Sequence, residues 1–148
     1  MKVYAHTTNP DPVLESDSLC FVDLPALYKN SDVIFLHCPL TAENERLINR
    51  DSIAQMRDGV IIINNARGGL IQEDDLAAAL NSGKVYAAAV DVASSEPISP
   101  DNPLLKAKNI FITPHISWAA IETRARLMQM AAENLQAFLS GKELNRVN

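Results

Sequence analysis

Five short apolar runs punctuate this chain: KVYA (2–5), DVIFL (32–36), VIII (60–63), VYAAAV (85–90) and NIFI (109–112). None of them alternates apolar with polar residues, as a strand with one wetted face does. A continuous run of four to six residues is the mark of a strand buried on both faces, which in practice means a parallel sheet with helices packed over it. Residues 20–22, CFV, fit a further, edge strand.

The segments between the runs read as helices. Asp23 is placed to cap a short helix through LPALYKN, because its carboxylate can accept from the free amides of the first turn. NRDSIAQM (49–56) is a second short helix ending near Gly59, and QEDDLAAALNSG (72–83) opens on acids and stops at Gly83. The last helix is the longest: Ser117 is its expected cap, Ile121, Met128, Leu135 and Phe138 keep helical spacing and are expected in the core, with exposure expected only in its last turns, and Gly141 ends it. A loop over about residues 93–108 carries Pro97, Pro100 and Pro103. Strands alternating with helices imply an α/β fold built on a parallel sheet.

In such sheets ligands bind beyond the carboxyl ends of the strands. His6, Thr7 and Thr8 follow the first run, and His37, Cys38 and Pro39 follow the second. Asn64, Asn65 and Arg67 follow the third, Asp91 and then Glu96 the fourth, and Thr113, Pro114 and His115 the fifth. All of the residues suited to chemistry therefore fall on one expected sheet edge. Taken singly each has a plain reading: His115 as a surface residue at a helix start, Arg67 as a solvated loop charge, Glu96 as loop polarity, Asp91 as a turn residue. Their convergence argues for a site.

An arginine offers a planar fork for a carboxylate. A histidine beside a carboxylate has its cation stabilised and can deliver a proton near neutral pH. Arg67, Glu96 and His115 together suit reduction of a 2-oxo acid: Arg67 holds the carboxylate and polarises the ketone, His115 protonates its oxygen, and Glu96 orients His115. The hydride must come from a cofactor, since no side chain supplies one.

Composition narrows the alternatives. With 148 residues and 47% hydrophobic content the chain can bury one core. A net charge of −5 without a Lys/Arg cluster makes nucleic acid and anionic membranes poor partners. No apolar run is long enough to span a bilayer, and the first ten residues lack a signal-peptide core. Two cysteines, Cys20 and Cys38, form neither a disulfide framework nor a metal site, so a reducing, cytoplasmic setting is expected.

HCPLTAENERLIN (37–49), INNARGGLIQEDDLAAAL (63–80), AAAVDVASSEP (87–97) and ITPHISWAA (112–120), in that order and spacing, resemble the D-isomer-specific 2-hydroxyacid dehydrogenases. The resemblance implies a Rossmann-type parallel sheet flanked by helices. It also implies NAD or NADP as cofactor, a small 2-oxo or 2-hydroxy acid as substrate, and Arg67, Glu96 and His115 as the catalytic residues. It places Asp91 on the nicotinamide side of the cofactor, and Cys38, Asn65 and Ala66 at cofactor-lining positions. Thr7, His37, Pro39 and Trp118 are further candidates for that lining. The His115-x-x-Trp118 form is most similar to the glycerate dehydrogenase, or hydroxypyruvate reductase, branch.

The chain departs from the family pattern in two ways. Thr7 stands where NAD-preferring members usually carry the acid that binds the ribose hydroxyls, so NADP becomes possible. No G-x-G-x-x-G turn occurs anywhere in the chain. The strand that would precede that turn is also absent, and in the order 3-2-1-4-5-6 it is central. Residues 1–148 are therefore expected to be a partial dinucleotide-binding domain, essentially without a substrate domain, inactive alone, and dependent on a missing N-terminal half or a homo-oligomer. Competing expectations are a dinucleotide-sensing, corepressor-like binding protein on the same fold, and an inactive remnant.

Overall fold

The computed structural model describes residues 1–147. By its internal contacts the chain divides into two units, one spanning Met1–Pro114 and the other beginning at His115.

The first unit holds six strands, all in parallel pairings. β1 (Val3–Ala5) pairs with β2 (Leu19–Phe21) in a two-stranded sheet. β3 (Val33–Leu36), β4 (Val60–Asn64), β5 (Val85–Val90) and β6 (Ile110–Ile112) form a four-stranded sheet in the order β3-β4-β5-β6. The five main apolar runs are all strands, and the edge segment expected at 20–22 lies one residue earlier. In a doubly wound sheet of order 3-2-1-4-5-6, β2 and β1 take places 3 and 2, and β3 to β5 take places 4 to 6. Among the described residues no ladder joins β1 to β3, which is where the central strand expected to be missing belongs.

Three helices connect these strands, each with a local reason to start. α1 (Leu24–Asn30) is capped by Asp23, whose carboxylate accepts the Ala26 amide at 2.9 Å. α2 (Arg50–Gln55) opens on a capping box: the Asn49 side chain accepts the Ser52 amide at 3.0 Å, and the Ser52 hydroxyl accepts the Asn49 amide at 2.9 Å. α3 (Glu73–Ser82) stops at Gly83, whose φ of 84° only glycine takes without strain. Gln72 precedes α3 but makes no side-chain cap bond.

One face of the larger sheet carries the core. Ile34, Ile62 and Ala88 stand in register across β3, β4 and β5 and are buried, clustered with Tyr28, Ile53, Leu76 and Leu80 from the helices. Burying each of the larger side chains contributes about 1.5–3 kcal/mol. The opposite face runs Phe35, Ile63, Ala89 and Phe111 in register, and both aromatic rings are exposed. The expectation of burial on both faces therefore holds for one face only, because α1 to α3 all pack on the same side.

The second unit consists of α4 (Ile121–Leu139) with its flanking turns. Its start corrects the sequence reading: the N-cap is Ala120, with no side-chain bond, and Ser117 lies three residues earlier. A second correction concerns its apolar stripe. No residue of α4 is buried: Ile121 and Met128 are exposed against expectation, and Leu135 and Phe138, in the last turns where exposure was expected, are exposed as well. Its end is as expected: the Gly141 amide bonds Phe138 O at 3.0 Å and the Lys142 amide bonds Ala137 O at 2.9 Å, a Schellman closure around a left-handed Gly141.

Candidate active site

The candidate residues of the first unit sit where the strands end. Thr7 lies two residues past β1, exposed, its hydroxyl accepting the Asn9 amide at 3.3 Å. Past β3, the exposed His37 ring stacks on Phe35 with 5.8 Å between centroids. Cys38 is half-buried, and Asn44 holds the turn by donating to Pro39 O at 2.7 Å and, weakly, to the Cys38 sulfur at 3.9 Å. Both cysteines are free thiols.

The turn after β4 is built on Asn64, which is 1% exposed. Its amide nitrogen donates to Arg67 O at 3.0 Å and its carbonyl oxygen accepts the Ala66 amide at 3.1 Å. One buried side chain thus shapes the loop carrying Asn65, Ala66 and Arg67. Its backbone carbonyl also accepts the Asp91 amide at 2.9 Å, which ties the ends of β4 and β5 together. Asn65 and Arg67 are exposed, and the Arg67 guanidinium donates to Ala66 O at 2.6 Å.

Asp91 is 6% exposed, and the Thr113 hydroxyl donates to its carboxylate. A buried carboxylate needs such donors, because stripping it of water without them is costly. Beyond it, Glu96 is exposed and its carboxylate accepts the Ala93 amide at 3.2 Å. Gly68 brings the two loops together: a Cβ there would fall 2.0 Å from the Ala93 carbonyl. Only glycine allows the strand-end turn of Arg67 to lie against the backbone that leads to Glu96.

In the second unit, His115 takes a φ of 56°, in the left-handed region. The Trp118 indole donates to the His115 carbonyl at 2.9 Å, so the two residues of the His-x-x-Trp form are joined in one turn.

A family model described as D-isomer specific 2-hydroxyacid dehydrogenase, NAD binding domain, matches residues 1–117. The chain belongs to this family. A hydroxypyruvate reductase of Blautia hydrogenotrophica is 57% identical to this dehydrogenase-family chain over 148 residues, which are 100% of the chain and 46% of that protein. A crystal structure of a Thermus thermophilus protein superposes with a TM-score of 0.89 at 40% identity, covering 99% of this chain and 45% of that one. The D-lactate dehydrogenase of Aquifex aeolicus, solved with NAD and lactic acid, gives a TM-score of 0.85 at 31% identity over 95% of this chain and 47% of that one. The chain thus spans about half the length of the relatives it matches.

Among the described residues of this 2-hydroxyacid dehydrogenase domain, no group of three or more His, Cys, Asp or Glu could hold a metal ion, and no helix is long and apolar enough to cross a membrane. In the sequence Asn64 is only a strand-end residue, and Glu73 is only one of the acids that open α3. Asn64 bridges a turn from beneath, and Glu73 serves a different loop. An asparagine closing an otherwise apolar strand was the available signal for the first; the second left none.

Proposed function

We propose that this chain forms the cofactor-facing half of an NAD- or NADP-dependent reductase of small 2-oxo acids such as hydroxypyruvate or glyoxylate. Arg67 binds the substrate carboxylate and polarises the ketone. His115 donates the proton to the ketone oxygen, and Glu96 orients that imidazole. The observation that carries this reading is the interlock of the Arg67 and Glu96 loops, set by Gly68 against Ala93, within a chain whose relatives include a hydroxypyruvate reductase.

The strand-end residues fit the nicotinamide side of a dinucleotide, with Asp91 held buried by Thr113 and with Asn65, Ala66, His37, Cys38, Pro39 and Trp118 as lining. When bound, the cofactor supplies the hydride. The pyrophosphate side has no Gly-rich turn in this sequence to receive it, so that part of the cofactor needs residues from outside these 148. Thr7 brings no carboxylate to the ribose and therefore no repulsion of a 2′-phosphate, which keeps both dinucleotides as candidates. The setting is cytoplasmic. The partner is a complementary N-terminal half or a second copy, and neither nucleic acid nor membrane takes part.

The test is to assay hydroxypyruvate and glyoxylate reduction with NADH and NADPH, using the chain alone and the chain joined to a family N-terminal half. The expected result is no turnover alone and turnover when joined, with Arg67→Lys and His115→Gln each lowering kcat/KM by about 10²–10⁴-fold. Robust turnover by the chain alone would refute the need for a complement. A joined protein that binds dinucleotide yet reduces no 2-oxo acid would refute the reading itself.

A further inference from the structure

Glu73 opens α3, but its carboxylate works outside the helix. One oxygen accepts the Ser94 amide at 2.9 Å; the other accepts the Ser94 hydroxyl at 2.6 Å and the Asn102 side-chain amide at 2.9 Å. Asn102 is buried, and its carbonyl oxygen accepts the Leu104 amide at 3.0 Å. One carboxylate therefore gathers both ends of the loop from Ser94 to Asn102, and Glu96 lies inside that loop. Ala93, adjacent to Ser94, donates its amide to Glu96 at 3.2 Å, and Gly68 packs against Ala93 and Ser94.

A first-turn acid interacting only with the helix dipole contributes about 0.3–1 kcal/mol and needs no partner in another loop. Asp75, in the same first turn, accepts a single hydrogen bond from outside the helix, from the Arg50 amide at 2.9 Å. Three charge-assisted bonds to residues 21 and 29 positions away are a different arrangement, one that holds a loop in a single conformation. We infer that Glu73 is a positioning residue for Glu96: it anchors the Ser94–Asn102 loop so that the Glu96 carboxylate is presented from a fixed backbone. The inference rests on the reading above, in which Glu96 serves His115.

The experiment measures pH–rate profiles of kcat/KM for hydroxypyruvate reduction by the joined protein and its Glu73→Gln, Glu73→Ala and Glu96→Gln variants, with melting curves alongside. Glu73→Gln keeps the side-chain shape and one acceptor oxygen, and so guards against a variant that fails to fold. Glu73→Ala is expected to lower kcat/KM about 10–100-fold, and Glu73→Gln less. In both, the alkaline limb moves in the same direction as in Glu96→Gln. A limb that stays at the wild-type position while kcat/KM falls would show a purely structural tie and overturn the inference, as would unchanged kcat/KM. If Glu96→Gln itself leaves the limb in place, the assignment of Glu96 is what has failed, and the role of Glu73 falls with it.

Discussion

A Cβ built on Gly68 would lie 2.0 Å from both the carbonyl carbon and the carbonyl oxygen of Ala93. The obstacle is backbone, which cannot swing aside as a flexible side-chain tip can. Gly68→Ala is therefore expected to push the Arg67 turn and the 93–96 segment apart, at a cost of about 3 kcal/mol. Gly83→Ala is the comparison: nothing lies within 4 Å of its Cβ, and only the left-handed φ of 84° is strained, about 1 kcal/mol. Urea midpoints for the two variants test the order, and equal midpoints would contradict the close approach.

Asn64→Ala removes both bonds that shape the Arg67 turn and leaves the Ala66 amide and the Arg67 carbonyl without that partner. The expected loss is about 2 kcal/mol. Asn64→Asp keeps an acceptor for Ala66 but sets a carboxylate oxygen against the Arg67 carbonyl in a buried place. It should destabilise more than Asn64→Ala at neutral pH, which denaturation of both variants would show.

Thr113→Val keeps the shape of the side chain but deletes the hydroxyl that donates to the buried Asp91 carboxylate. A charged acceptor that loses a donor makes this cost about 2 kcal/mol. Thr113→Ser retains the hydroxyl and is expected to stay within about 1 kcal/mol of wild type. Comparable losses in the two variants would point to the methyl group rather than the hydroxyl.

The Lys84 ammonium donates to Asp58 at 2.7 Å and to Met56 O at 2.7 Å. That hydrogen bond, aided by the charge of Lys84, holds the Asp58 carboxyl below its ordinary range. Its folded pKa lies below the unfolded one, so the contribution is fully present above the unfolded value and is lost as pH falls through the folded one. Asp58→Asn should flatten the acid side of the stability–pH curve and reduce its salt dependence, because the pair is exposed and screened. An acid limb identical to wild type would contradict this.

Much of the fold was legible because its causes are local. The runs at 2–5, 32–36, 60–63, 85–90 and 109–112 became β1 and β3 to β6 because strand formation depends on a few consecutive side chains. Asp23 capped α1, and Gly83 and Gly141 ended their helices, because caps act within one turn. The start of α4 was misplaced because Ser117 has the right chemistry for a cap, while the turn joining His115 to Trp118 delays the helix to Ile121.

The α/β alternation, the order of polar residues at the strand ends and the family are all written in patterns within short windows of residues. Folding in three dimensions is what gives Glu73 a loop more than twenty residues away to serve, sets Ala93 against Gly68 so that it must be glycine, and lets Asn64 bridge the Arg67 turn. Those roles depend on which loops the sheet order sets side by side. Hydrogen bonds and steric contacts act over a few ångströms of space and carry no trace of the separation along the chain.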